Sequence, residues 1–189
     1  GVNNATFLKD QKIPAGIWNK KGLVEKLNDM LKAQFNTDKK LVLSIKNYQV
    51  FFDTTAIEEA NIDYAAVKQS VVNRLKKEHD VHYAFNMEKT STESIPEQLK
   101  FRAINGYNRE RSGGVQVVLK PAHYEYYSPK GTSHGAWNPY DIHIPCLFMG
   151  WHIQHGATTQ PHFMTDIAAT VCALLHIQAP NGCIGTPIF

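Results

Sequence analysis

Side chains able to hold a metal ion or move a proton at neutral pH are plentiful in this sequence, and their spacing sorts them. Nine histidines occur in 189 residues. His79, His82 and His176 fall on predicted helix ends or strands, where a partly exposed imidazole needs no functional explanation. His152 and His155 lie three apart with His162 seven further on, a spacing that makes a small metal site if the loop folds back. No Cys or acidic residue is spaced to complete that set. His134 stands apart, within Gly131-Thr132-Ser133-His134-Gly135. Glycines on both sides let the backbone take positive φ and present the imidazole outward from a tight loop. Spacing alone favours the plainer reading of an ordinary turn with an exposed histidine. Thr132 and Ser133 invite a nucleophile reading with His134 as base, but sequence neighbours on a loop seldom point at one another as a triad requires. The nucleophile elbow, dinucleotide, P-loop and paired-histidine zincin motifs have no match, so those chemistries lack their signatures.

Several elements must position these residues. Leu23, Leu27 and Leu31 at four-residue spacing predict an amphipathic helix over residues 19–35, and LVLSIKNYQVFF from Leu41 to Phe52 predicts two short strands or a hairpin broken at Lys46-Asn47. Tyr64, Val67, Val71 and Leu75 share a helical face behind Asp63, a predicted N-cap. Residues 81–87 alternate like a strand, Pro96 opens a short helix reaching about Asn105, and VQVVL after Gly113-Gly114 reads as a further strand. The aromatic, Gly and Pro-rich stretch from His123 to Pro139 is too long and too rich in side-chain chemistry for a mere connector, so function is sought there. The apolar run from Ile142 to Met149 predicts a strand buried on both faces. Thr165 is expected to cap a helix whose Ile167, Val171, Leu174 and Leu175 form its apolar stripe, stopped at Pro180 to Gly182. The alternation of strands and helices implies a mixed α and β architecture.

Composition bounds the answer. A hydrophobic share of 43% can bury a sizeable core. A formal charge of +3, with both signs interspersed, argues for neither a nucleic-acid polymer nor a membrane surface as partner. No apolar run approaches the roughly 18 residues a bilayer span requires. Cys146, Cys172 and Cys183 lack metal-type spacing. Cys146 and Cys172 are read as buried apolar packing, with a Cys172 to Cys183 bridge the minor alternative.

An ordered series of segments then carries a resemblance. Gly131-Thr132-Ser133-His134-Gly135, Tyr140-Asp141-Ile142-His143-Ile144-Pro145, Phe148-Met149-Gly150-Trp151, Thr165-Asp166-Ile167-Ala168, Leu174-Leu175 and Pro180-Asn181-Gly182 with Gly185 resemble the closing stretch of the alkaline phosphatase superfamily. Ile13-Pro14-Ala15-Gly16, Asn105-Gly106-Tyr107 and Arg111-Ser112-Gly113 resemble upstream segments of the same branch. The likeness is greatest to bacterial phosphate-irrepressible alkaline phosphatases and the related nucleotide pyrophosphatase/phosphodiesterases. Departures fall at Gly114 and Ala169, where the branch often has Asp and Pro.

The resemblance implies a C-terminal fragment of the alkaline phosphatase-like α/β fold, with an accessory α+β subdomain over residues 1–120 and a returning core segment over 121–189. It implies a parent enzyme in which two zinc ions and a Thr or Ser nucleophile cleave phosphate esters, the substrate being a phosphate ester or nucleotide. Two such ions about 4 Å apart activate the nucleophile and stabilise the leaving oxygen. His134 maps onto the zinc-binding histidine of the family loop, and Asp141 or a loop carbonyl is a candidate acceptor for that imidazole's other nitrogen. Gly1-Val2 resembles the residues after the family's last Asp-His ligand pair, so the nucleophile and the other donors are expected upstream. The fragment alone is then expected to be inactive and not to hold zinc tightly. The family is exported, which implies a periplasmic or secreted location. The rival reading is a non-catalytic binding or structural module of the same ancestry, which would leave no apolar sheet edge uncovered.

Overall fold

A computed structural model describes residues 3–128, 130–150 and 153–188. They fall into two compact units, Gly1–Ile144 and Pro145–Phe189.

In the first unit, Asn4 caps α1 (Ala5–Asp10) by accepting the Phe7 N–H at 2.8 Å. After β1 (Gly16–Ile17), α2 (Leu23–Phe35) buries Leu23, Leu27 and Leu31, as their spacing requires. β2 (Val42–Lys46) and β3 (Gln49–Phe52) form the expected hairpin. Its two-residue turn has positive φ at both Asn47 (49°) and Tyr48 (60°), the pattern of a turn whose twist matches the strands. Asn suits that conformation. Tyr48 is held there by its contacts, its ring stacked on Trp18 with centroids 6.0 Å apart and its hydroxyl accepting the Glu125 N–H at 3.2 Å.

Next come α3 (Thr54–Glu59) and α4 (Tyr64–Leu75), the latter capped by Asp63, which accepts from the Ala65 and Ala66 amides. β4 (Val81–Asn86), a 3-10 turn over Met87–Thr92, α5 (Glu97–Gly106), β5 (Val115–Leu119), β6 (His123–Tyr124) and α6 (Pro139–Ile142) complete the unit. The order β2-β3-β5-β4 is antiparallel throughout, while β1 pairs in parallel with β6 in a sheet of two.

Strand alternation divides the core. Val50, Val115 and Val117 face Leu27, Leu31, Val67 and Val71 of α2 and α4, whereas Val118 and Phe85 face Leu99 of α5. β2 is a sheet edge, and buried Asn28 of α2 covers it: its Oδ1 accepts the Leu41 and Val42 amides at 2.8 and 2.9 Å, and its Nδ2 donates to the Val42 carbonyl.

Two expectations are corrected by the polypeptide downstream. Ile142 ends α6, and residues 143–149 hold no regular structure in place of the expected strand. A strand buried on both faces needs pairing neighbours, and none of the described residues supplies them. Ile144, Leu147 and Met149 are accordingly 55%, 89% and 98% exposed. Cys146 is exposed rather than buried for the same reason, whereas Cys172 is buried, and all three cysteines are free.

In the second unit, α7 (Asp166–Leu175) forms where expected, but the capping differs. Thr165 makes no side-chain cap; Asp166 instead accepts the Phe163 amide at 2.9 Å and the Thr186 amide at 3.1 Å. The helix buries Ala169, Thr170 and Cys172, not the predicted stripe, and leaves Val171 and Leu175 exposed. Gly185 lets the tail approach the helix start, since a Cβ there would lie 2.0 Å from the Thr165 carbonyl oxygen.

Candidate functional site

The loop carrying His134 belongs to the first unit and is fastened on both sides. Before it, the fully buried Tyr124 of β6 donates its hydroxyl to the Gly131 carbonyl at 2.7 Å and accepts the Ala5 N–H at 3.0 Å. That amide belongs to the first turn of α1, where no intrahelical acceptor exists, so the tyrosine completes the helix and the loop together. A side chain at position 131 would meet the Tyr126 ring, a Cβ there lying 1.8 Å from its Cε1. After it, Asp141 in the first turn of α6 accepts the Ala136 N–H at 2.7 Å. Gly135 takes φ +90°, a turn direction that suits glycine.

His134 is thus exposed between two anchored points, Gly131 and Ala136. Asp141 is positioned to hold the backbone two residues beyond the imidazole. Tyr140 adds a third tether by accepting the Ala122 N–H at 2.8 Å, and burial pushes the pKa of Tyr140 and of Tyr48 up, so both phenols stay neutral. Beside the loop lies a cleft of about 190 Å³ lined by Tyr48, Arg102, Gln116, Gly135 and Trp137. The Trp137 indole N–H is buried with no hydrogen-bond partner, a donor free to meet an acceptor.

Among the described residues one group of three convergent metal-type donors occurs, and it is His79, Asp80 and His123. Neither His155 nor His162 belongs to it, and His152 lies outside the described residues. His162 instead stands 3.9 Å from Asp166. Reading His79 as an unremarkable helix-end residue missed this convergence, as did treating His123 only as the start of a loop. The adjacent pair His79-Asp80 was the one visible signal; its third member is distant in sequence. His82 packs edge-on against Tyr83, and His176 closes α7 with φ 53°.

No family model matches the chain. Curated relatives do: alkaline phosphatase PafA of Elizabethkingia meningoseptica is 42% identical over 99% of the chain and 34% of its own length. Alkaline phosphatase PhoV of Synechococcus elongatus is 50% identical over 77% of the chain and 26% of its own length. A Myroides odoratus protein named calcium-transporting ATPase is 40% identical over 99% of the chain and 34% of its own length. The crystal structure of wild-type PafA superposes with a TM-score of 0.91 at 41% identity, covering 99% of this chain and 35% of that one. The chain belongs to the alkaline phosphatase superfamily. It matches the C-terminal part of the superfamily fold and spans about a third of the length of the PafA and Myroides relatives. No helix among the described residues is long and apolar enough to cross a membrane.

Proposed function

We propose that this chain is part of a zinc-dependent phosphohydrolase, exported from the cytoplasm, and that His134 is the one zinc donor it contributes to the catalytic centre. The observation that carries the reading is the exposed imidazole on a loop pinned at Gly131 and Ala136, in a chain 42% identical to an alkaline phosphatase along 99% of its length. A single exposed imidazole fits a metal as one ligand of several, and the other donors and the Thr or Ser nucleophile are assigned to the rest of the enzyme. When bound, the pair of zinc ions supplies Lewis-acid stabilisation of charge on the phosphoryl and leaving oxygens.

The chain's own residues act by placement. Tyr124 and Asp141 fix the loop ends, so the imidazole nitrogen is presented with little conformational freedom to lose on binding metal. Asp141 therefore serves as a positioning residue through the loop backbone. Thr132 and Ser133 shape the loop and carry no proton transfer. The relatives' names make phosphate monoesters the first substrates to assay, with diesters and nucleotides alongside. In the longer enzyme at saturating zinc, His134→Ala should lower turnover at least roughly 100- to 1,000-fold, the loss typical of one electrostatic stabiliser. Ser133→Ala should stay within about tenfold. Near-normal turnover of the His134→Ala enzyme would remove the role given to this loop.

A further inference from the structure

The His79, Asp80 and His123 group is assembled by backbone order before any side-chain interaction is considered. His79 and Asp80 close the connection from α4 to β4, and His123 opens β6. Val81 is in register with Leu119 across β4 and β5, the Lys120 N–H donates to the Asp80 carbonyl at 2.9 Å, and the His123 N–H donates to the Lys120 carbonyl at 3.1 Å. These bonds set three metal-type donor atoms within 4.8 Å of one another. Asp80 Oδ1 is 2.8 Å from His79 Nδ1 and 3.5 Å from His123 Nε2. Zinc bonded at about 2.0–2.2 Å in a tetrahedron holds its ligand atoms roughly 3.4 Å apart, so small rotations bring this trio to bonding geometry.

His123 decides what the cluster is for. Its side chain is only 7% exposed, and its Nδ1 lies 2.9 Å from the Pro121 carbonyl. A carbonyl can only accept, so Nδ1 carries the ring hydrogen and Nε2 of the neutral ring is a lone pair. That lone pair faces a carboxylate oxygen 3.5 Å away, an arrangement that either a ring proton or a shared metal ion satisfies. The ring cannot easily turn aside, because β1 closes over it: a Cβ on Gly16 would lie 2.6 Å from His123 Cδ2 and 2.8 Å from Nε2. An imidazole whose outer nitrogen donates to a carbonyl while the inner one is held toward an anion has the orientation of a metal-binding histidine.

We propose that His79, Asp80 and His123 bind one divalent ion of the zinc class and thereby staple the start of β4 to β6. Two imidazoles and a carboxylate suit such a borderline ion and leave a fourth position for water. His79, 86% exposed, lies on the open side and gives the ion its way in. All three ligands come from this chain, so the site needs nothing from the rest of the enzyme. It adds one ion to the sequence-based expectation that the chain holds no zinc tightly.

The test uses the 189-residue chain stripped with a chelator and titrated with cobalt(II), whose visible absorption reports coordination by nitrogen and oxygen. The expected result is a saturable band at about one equivalent that zinc abolishes. His79→Ala and Asp80→Asn change partly exposed side chains and should leave the far-ultraviolet dichroism intact while weakening binding at least about tenfold. His134→Ala and a combined His155→Ala, His162→Ala variant should bind as the parent does. A folded chain with no saturable band overturns the proposal. So does a band unchanged in both His79→Ala and Asp80→Asn. The same two substitutions in the longer enzyme should lower its metal content by about one equivalent per chain, and an unchanged content there also overturns the assignment.

Discussion

Tyr124→Phe isolates the hydroxyl that ties the His134 loop to the rest of its unit. The substitution keeps the ring, whose burial is complete, and removes one oxygen. Two groups lose their partner: the Ala5 N–H, in a residue only 2% exposed and at 3.0 Å from the hydroxyl, and the Gly131 carbonyl at 2.7 Å. Leaving a buried amide unsatisfied costs about 1–3 kcal/mol and losing an ordinary hydrogen bond about 0.5–1.5 kcal/mol. The second bond is only partly buried, so water can replace part of it, and the combined loss should be about 2–3 kcal/mol. That is roughly a 30- to 150-fold fall in the ratio of folded to unfolded chain.

Urea unfolding followed by tyrosine fluorescence and circular dichroism measures this directly. The midpoint should fall while the denaturant slope stays constant, because no surface is newly exposed in the native state. Tyr126→Phe is the control. Its hydroxyl meets only the Tyr127 hydroxyl at 3.0 Å in an exposed position, so its effect should stay within about 0.5 kcal/mol. In the longer enzyme, turnover of the Tyr124→Phe variant should also fall, by up to roughly 100-fold if releasing Gly131 displaces the imidazole by about an ångström. Equal stabilities for the two phenylalanine variants would refute the argument that Tyr124 holds α1 and the loop together.

Three further outcomes follow from other parts of the molecule. Asn28→Leu should destabilise by about 3 kcal/mol or more by calorimetry or denaturant titration, because it orphans two amides and one carbonyl at the edge of β2. Tyr64 has its pKa pushed up to about 12, first by burial and then by the nearby Glu88 carboxylate. Its raised folded value means the neutral phenol favours folding fully below about pH 10, the unfolded value, and that this contribution is lost as pH rises toward 12. Tyr64→Phe should flatten that part of the alkaline stability profile. Asp166 is shifted the other way, below the usual carboxylate range, chiefly because the Phe163 and Thr186 amides donate to the ionised form. The sign reverses accordingly: its contribution is present above about pH 4 and disappears as pH falls through the lowered folded value. Amide exchange at Phe163 and Thr186 should accelerate over that acid range in the parent, and Asp166→Asn should show no such acid step.

Much of the first unit was legible because its signals are local. Leu23, Leu27 and Leu31 are buried where their spacing places them, Asp63 caps α4, and residues 81–86 and 115–119 pair as strands. α1 and α3 are too short for periodicity to reveal them, and their caps, Asn4 and Asp53, were the available cue. β1 and β6 are two residues each and exist through their pairing with one another. The sequence reading failed where apolar residues need partners this chain does not bring. A run such as Ile142 to Met149 states only that its side chains are apolar. It does not state what would pair with it, so its hydropathy reads as a strand while, among the described residues, its backbone finds no ladder. The same holds for Val171 and Leu175 of α7, which are apolar at helical spacing yet exposed at 40% and 59%.

The candidate sites divide along the same line. His134 could be singled out from sequence because its flanking glycines and its loop neighbours are contiguous with it, although its anchors could not: Tyr124 reaches Gly131 through a side-chain hydroxyl, and Asp141 reaches Ala136 through a carboxylate that the resemblance had offered to the imidazole. The cluster of His79, Asp80 and His123 was out of reach for a stricter reason. Its convergence depends on the register of β4 with β5, Val81 opposite Leu119, and a slip of one residue would turn the neighbouring side chains to the other face. Register is set by the whole pattern of buried faces across four strands, not by the residues at the site. A histidine on display in a glycine loop is therefore a property a sequence can state, whereas a histidine under Gly16 and against Asp80 is a property only the assembled sheet can state.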